Sequence, residues 1–338
     1  MEFKNTLLDS TILIIFNLFL IYILRFITIS RNFLLDKTNK IQSVSIKKNV
    51  SCIGGIIIFI NLLIFATQEN EVNSKILILF IFFILIIGIL SDLKENFSAK
   101  IKITLIYFLC IIFLFYNKNY LIKDLGVSYL NNYYLNNIVF QILFTSFCIS
   151  LCISGINMID GINGNAILYN LIVIINLIIL DNFKFSTFSS VMIITLSILL
   201  LFNLKNKIFL GDNGSYVLGA IISVLTIDSI NKNQETHPFL ACYILLYPCL
   251  EVLISVIRKK NSFRADKLHL HLKLYSKFDD RAVIILSVIN SFFMFQSFFI
   301  KNEKYLIALY ISLYIVIILL INKYANQNFN NWWRRIRW

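Results

Sequence analysis

Three aspartates, Asp92, Asp160 and Asp212, interrupt otherwise apolar stretches in "SDLKENFSAK" (91–100), "NMIDGINGN" (157–165) and "KNKIFLGDNGS" (205–215). Taken singly, each reads as a helix cap or a charge at the edge of an apolar run: Asp160 precedes a turn glycine, and Asp212 stands ahead of Ser215, which can open a helix. Together they offer oxygen ligands to a hard divalent cation. Asn157 lies three residues before Asp160, so the two side chains can face one way on a helical turn. Mg²⁺ takes one or two carboxylates and fills its shell with water and substrate phosphates.

Five of the ten glycines, Gly155, Gly161, Gly164, Gly211 and Gly214, fall in or beside the second and third stretches, where backbone N–H groups can approach a phosphate. Neither stretch is a nucleotide P-loop, because no G-K-[ST] follows. A fourth stretch, "RKKNSFRADKLHLHLK" (258–273), sets His269 and His271 among Arg258, Lys259, Lys260, Arg264 and Lys267. Two residues apart, the histidines cannot share a helix face, and the zinc-protease spacing is absent. The bland reading is a basic loop with incidental histidines; beside the other three stretches it becomes an electropositive arm for a diphosphate.

The elements that must position these residues are spanning helices. Of the 338 residues, 58% are apolar and only 14% charged, outside the range of a soluble domain. Eleven apolar runs, at about 11–29, 53–67, 75–90, 103–117, 138–155, 165–181, 187–203, 215–230, 239–257, 282–300 and 305–322, are separated by short polar links. They are too long for barrel strands and lack period-two alternation. The fold expected is an all-α, polytopic membrane protein of about eleven transmembrane helices. It forms a single domain over 1–338, with its motifs within about 36–273 and C-terminal helices and a basic, aromatic tail over 282–338.

With the N-terminus outside and the C-terminus inside, the inside links and tail carry 22 of the 31 Lys and Arg residues and the outside segments eight, with Arg25 at the inner end of the first run. Cytoplasmic links collect Lys and Arg, so this asymmetry supports N-out, C-in and an odd helix count together. It also accounts for most of the net charge of +13 without a nucleic-acid partner. All four motif-bearing stretches then face the cytoplasm. The first run, with no small-residue cleavage site after it, reads as an anchor. The six cysteines lie within or at the ends of apolar runs and read as packing.

The ordered series "LLDKTNK", "CIGGI", "SDLKENFSAK", "NMIDGING", "IFLGDNGS", "PCLEVLISVIR" and "RADKLHLH" resembles the successive signatures of the polyprenyl-phosphate N-acetylhexosamine-1-phosphate transferases, relatives of the phospho-N-acetylmuramoyl-pentapeptide transferase of cell-wall synthesis. The resemblance runs from about Asp36 to His271. It implies transfer of a sugar-1-phosphate from a UDP-sugar to undecaprenyl phosphate at the bacterial inner membrane, with release of UMP and with Mg²⁺, for which Mn²⁺ can stand in. On that resemblance Asp212 is the leading metal ligand and Asp160, with Asn157 and Gly161, helps hold metal and nucleotide diphosphate. Asp92 orients or deprotonates the lipid phosphate, Gly211 lies at the phosphates, and Arg264, His269 and His271 bind the diphosphate side. Asn203 stands near a family asparagine that contacts uracil. A homodimer is compatible with the sequence.

Two positions depart from the family pattern: Ser91 stands where an acid usually precedes Asp92, and Leu272 where a third histidine is usual. Direct attack by the lipid phosphate oxygen on the β-phosphorus follows, without a covalent enzyme intermediate at position 91. The alternatives are a secondary transporter or lipid flippase, which would place ionisable residues at the bilayer midplane, and a non-catalytic family member.

Overall fold

A computed structural model describes residues 2–36, 50–66, 72–94, 97–181, 187–233, 237–258, 269–296, 299 and 302–325. The helices are α1 (Glu2–Arg31), α2 (Gly54–Ala66), α3 (Val72–Leu93), α4 (Ala99–Tyr116), α5 (Ser128–Leu135), α6 (Ile138–Ile159) and α7 (Asn165–Leu180). They continue with α8 (Thr187–Leu204), α9 (Gly211–Lys232), α10 (Phe239–Ile244), α11 (Leu246–Arg258), α12 (Leu270–Phe278), α13 (Arg281–Gln296) and α14 (Glu303–Ala325). Among the described residues six helices are long and apolar enough to cross a membrane, within α1, α3, α4, α6, α8 and α9, and five shorter apolar helices accompany them. The chain is a helical, multi-pass membrane protein. The run expected over 239–257 is broken at Leu245 into α10 and α11.

Helices α2, α3, α6 and α7 all pack on α9. Nearly every residue from Asn213 to Val224 is buried, and its small residues admit neighbouring backbones closely. A Cβ at Gly219 would stand 2.6 Å from Ile153 Cα of α6. Close approach of this kind is how spanning helices associate where burial from water gives no driving force. Asn17 of α1 and Asn61 of α2, both fully buried, exchange reciprocal amide hydrogen bonds of 3.1 and 3.0 Å, each satisfying a polar group in apolar surroundings.

One feature lies outside the all-α expectation. Strands β1 (Leu35–Asp36), β2 (Val50–Cys52) and β3 (Ile208–Phe209) form a small sheet at one end of the bundle. β1 pairs antiparallel with β2, and β2 pairs parallel with β3, with Ser51 opposite Ile208 and Cys52 opposite Phe209. The parallel pair ties the entry to α2 to the entry to α9, immediately before Asp212. Backbone groups between spanning helices must find partners, and these strands supply them.

Candidate active site

The site is built at the N-terminus of α9. Gly211 has φ +72°, a left-handed conformation that costs glycine nothing and strains other residues, and a Cβ there would stand 2.8 Å from Asp92 Oδ2. The turn aims the first N–H groups of the helix at Asp92, near the end of α3. Asp212 N donates to Asp92 Oδ1 at 3.0 Å, and Asn213 N and Nδ2 donate to Asp92 Oδ2 at 3.0 and 2.6 Å. A carboxylate from another helix thus satisfies donors that a helix start leaves open, where the helix dipole favours negative charge. Asn213 also accepts from Gly55 N at 2.8 Å and donates to Cys52 O at 2.9 Å, which pins α2 to the same point.

So held, the Asp212 carboxylate meets side chains from three other helices. Its Oδ1 accepts from Asn157 Nδ2 of α6 at 2.9 Å. Its Oδ2 accepts from Ser91 Oγ of α3 and from Lys102 Nζ of α4, the latter an ion pair of 3.0 Å. Asn157 Nδ2 further donates to Ser215 Oγ at 2.9 Å.

Asp160 is where α6 ends, and Asn165 Nδ2 covers the preceding carbonyl, Ile159 O, at 2.8 Å. Burial first, then the charges of Asp212 and Asp92, push the Asp160 carboxyl well above the ordinary carboxylate range. Its ionisation is thus opposed both by burial and by the two neighbouring carboxylates. Because the Asp160 pKa is raised on folding, its neutral form contributes stability at acid pH that is lost as pH rises through the raised value. Asp160→Asn is therefore expected to melt a few degrees higher than the native chain at neutral pH in chelator, with the gap closing toward about pH 4, where carboxyl groups take up protons. Thermal scans across pH in detergent check this; a lower melting point for the variant at neutral pH contradicts it.

The histidines reach the same floor from α12. His269 precedes that helix with extended backbone (φ −63°, ψ 147°), so the two rings stack, 10° from parallel with centroids 5.5 Å apart. The expectation that they cannot share a face holds within a helix, and His269 is outside it. Buried Glu251 of α11 holds His269 and the start of α12: Oε1 accepts from Leu270 N at 2.9 Å, and Oε2 accepts from His269 Nδ1 at 2.8 Å. A carboxylate only accepts, which assigns the proton to Nδ1. A Cβ at Gly161 would overlap His271 Nε2, so glycine there lets the imidazole lie against the Asp160 turn. Burial holds the His271 imidazolium pKa down to about 3, with His269 acting the same way and Glu251 opposing, so this ring offers hydrogen bonding without charge.

The structure therefore brings Asp92, Asn157, Asp160, Gly161, Gly211, Asp212, His269 and His271 to one end of the bundle. Asn203 takes a different position: its Oδ1 accepts from Gly164 N at 2.5 Å and its Nδ2 donates to Ile208 O at 3.0 Å, joining the turn before α7 to β3. Arg264 lies outside the described residues. Lys102 and Asn213 were not singled out from the sequence. Lys102 was counted only as an inside charge, although a lysine in the first turn of an apolar helix, ten residues after Asp92, was the available signal.

Among the described residues no group of three His, Cys, Asp or Glu side chains is arranged to hold a metal ion. The charges of Asp212 and Asp92 act on the Asp160 carboxyl, a repulsion that a bound divalent cation would relieve.

The family model described as "Glycosyl transferase family 4" matches residues 74–230, from α3 through most of α9. Over that stretch, somewhat under half of its length, the chain is similar to glycosyl transferase family 4. The match contains Asp92, Asn157, Asp160, Asn203, Gly211 and Asp212 and stops short of the histidines. The chain is similar to the phospho-N-acetylmuramoyl-pentapeptide-transferase of Petrotoga mobilis, 27% identical over 274 residues, which span 72% of this chain and 82% of that protein. It is 27% identical to the protein of the same name from Buchnera aphidicola over 289 residues, 73% of this chain and 83% of the relative. A shorter match, 27% identical over 146 residues, 40% of this chain and 39% of the relative, joins it to the undecaprenyl-phosphate alpha-N-acetylglucosaminyl 1-phosphate transferase of Haemophilus influenzae. The resemblance read from the motifs and the family match agree.

Proposed function

We propose that this chain transfers a sugar-1-phosphate from a UDP-sugar to undecaprenyl phosphate at the cytoplasmic face of the bacterial inner membrane, releasing UMP. The observation that carries the reading is the convergence on Asp212 of Ser91, Lys102 and Asn157 from three helices, with Asp160 near enough to feel its charge and His271 against the Gly161 turn. The names of the family-4 relatives supply the lipid and the class of transfer. The charge asymmetry of the links supports the side.

An amphiphilic acceptor and a water-soluble dianion meet only at a membrane edge, which is where helix ends supply polar groups. Phosphoryl transfer asks for alignment and charge neutralisation more than covalent help. In the proposed reaction an oxygen of the lipid phosphate forms a bond to the β-phosphorus of the donor, the bond from that phosphorus to the bridging oxygen breaks, and UMP leaves with the bridging oxygen and its electron pair. Lys102 neutralises phosphate charge, and Asn157 fixes Asp212 in register. Asp92 holds the turn on which Asp212 stands, and its part with the lipid phosphate belongs to this proposal. His271, neutral, donates a hydrogen bond to the diphosphate beside Gly161. Asp212 and Asp160 would hold Mg²⁺, which when bound polarises diphosphate oxygens and stabilises the leaving group.

The test is UMP release by detergent-purified protein with Mg²⁺, undecaprenyl phosphate and a panel of donors that includes UDP-N-acetylhexosamines and UDP-N-acetylmuramoyl-pentapeptide. Release that requires lipid and divalent cation is expected, and the best donor identifies the sugar. Folded protein that releases no UMP from any donor, with lipid supplied, contradicts the proposal.

A further inference from the structure

Glu251 and His269 are buried titratable groups that the reaction just described does not use. Glu251 lies inside the apolar helix α11 and is 1% exposed; His269, ahead of α12, is 6% exposed. An acid in such a helix needs a reason, and its partners are where to look for one. Its base is fixed: three residues earlier, Pro248 meets α6 backbone to backbone, where a Cβ at Gly155 would stand 2.7 Å from Pro248 C and O. Gly155 lies two residues before Asn157, so Glu251 is anchored to the helix that carries Asn157 and ends at Asp160.

Both carboxylate oxygens are engaged at the start of α12. Oε1 takes Leu270 N, which sets where the helix begins, and Oε2 takes His269 Nδ1 at 2.8 Å. His271 Nδ1 stands 3.9 Å from Oε1, past hydrogen-bond length. Two rings that stack 10° from parallel and turn their Nδ1 edges to one carboxylate turn their Nε2 edges away from it together. In His271 that edge lies against Gly161, so Nε2 is the nitrogen of His269 that Glu251 leaves open on the side of the Asp160 turn. With its Nδ1–H donating to the carboxylate, the ring can take a second proton at Nε2 and meet a phosphate oxygen as a cation whose charge Glu251 balances, as a buried charge requires. A carboxylate behind an imidazole fixes its tautomer and orientation in the same way in hydrolase triads.

We propose that Glu251 is a positioning residue that acts through His269: it holds the ring proton on Nδ1 and turns Nε2 to the donor diphosphate, beside His271. The inference rests on the transferase reading. Glu251→Gln keeps the size of the side chain and isolates this role. A peptide N–H cannot give up its proton, whereas an imidazole can move its own. The glutamine oxygen therefore stays on Leu270 N, and its NH₂ turns to His269 Nδ1. The ring proton is then expected on Nε2, where the ring is a neutral donor with no carboxylate behind it.

The experiment compares the native chain with Glu251→Gln, His269→Gln and the double variant. It reads the imidazole nitrogen NMR signals of histidine-labelled protein in detergent, kcat/KM for exchange of labelled UMP into the UDP-sugar, and melting temperature. The chain has three histidines, so His269→Gln identifies the ring. Nδ1 of His269 is expected to carry a proton in the native chain and none in Glu251→Gln. In that variant kcat/KM should fall by about tenfold or more, the scale of a hydrogen bond to a charged group. Melting should stay within a few degrees, because Leu270 N keeps its acceptor. The double variant should match His269→Gln alone, since the glutamine acts on the donor only through His269. Native kcat/KM in Glu251→Gln overturns the proposal, as does a native ring with no proton on Nδ1, a loss of rate with that proton unmoved, or losses that multiply in the double variant. Should Glu251→Gln not purify folded, the native ring and His269→Gln decide in its place: a protonated Nδ1 together with a loss of rate in His269→Gln upholds the proposal, and either one missing overturns it. If the native chain turns over no donor, the transferase reading fails on that result and the ring signals decide the hold of Glu251 on His269. A proton that leaves Nδ1 in Glu251→Gln upholds it, and one that stays, or is absent from the native ring, overturns it.

Discussion

Asp212→Asn is expected to abolish exchange of labelled UMP into the UDP-sugar, a loss of roughly a thousandfold or more, the range seen when a preorganised group is removed from a developing charge. The change is isosteric, and the argument lies in what surrounds the carboxylate. Asn157 Nδ2, Ser91 Oγ–H and Lys102 Nζ all donate to it. An amide can keep one oxygen among these donors, but its NH₂ then faces at least one of them donor to donor. The variant therefore loses the charge that attracts Lys102 and a divalent cation, and it loses the orientation as well. Backbone contacts do not depend on the side chain: Asp212 N still donates to Asp92, so the protein is expected to purify folded. The measurement is the exchange rate beside the melting temperature. An Asp212→Asn variant within tenfold of the native rate removes Asp212 from the reaction and the proposed cation site with it.

What the sequence disclosed of this site follows from the cost of polar groups in membrane runs. Asp92, Asn157, Asp160 and Asp212 stand out because an acid or amide at the edge of a spanning helix needs a reason, and glycines beside it point to backbone doing something unusual. The partners were hidden for the same physical reason turned round. Lys102 carries a charge that orientation alone explains, and Asn213 is one polar letter among several in "GDNGS". The pairing of residues 50–52 with 208–209 rests on two- and three-residue strands more than 150 residues apart, too short for any periodicity to mark. His269 and His271 needed knowledge of where α12 begins, since their stacking depends on His269 lying before the helix. Asn203 was noticed for its type and place, yet both functions of its amide are hydrogen-bonded to backbone in the structure.

Gly88→Ala is expected to lower the exchange rate by about a hundredfold without touching a functional group. Gly88 faces α9 so closely that a Cβ would overlap Asn213 Cα and stand 2.7 Å from Asn213 N and 2.9 Å from Asp212 O. All three atoms are backbone, so no side-chain rotation relieves the contact, and one helix must move. Asn213 cannot give way without breaking its bonds to Gly55, Cys52 and Asp92. Helix α3 must therefore shift outward, and Asp92 lies on it one turn beyond Gly88, on the same face. A displacement of even about 1 Å stretches the bonds from Asp92 to the start of α9 past useful length, and misplacement on that scale can cost about a hundredfold in rate. Overpacking of a close-packed interior costs typically 1–3 kcal/mol, so a clear drop in melting temperature should accompany the loss of exchange. Leu90→Ala, at an outward-facing position of the same helix with 38% of its surface exposed, is the matched control and is expected to leave both readings near native. Native melting and exchange in Gly88→Ala would mean that α3 and α9 do not pack backbone to backbone, and the placement of Asp92 against the Asp212 turn would fall with that contact.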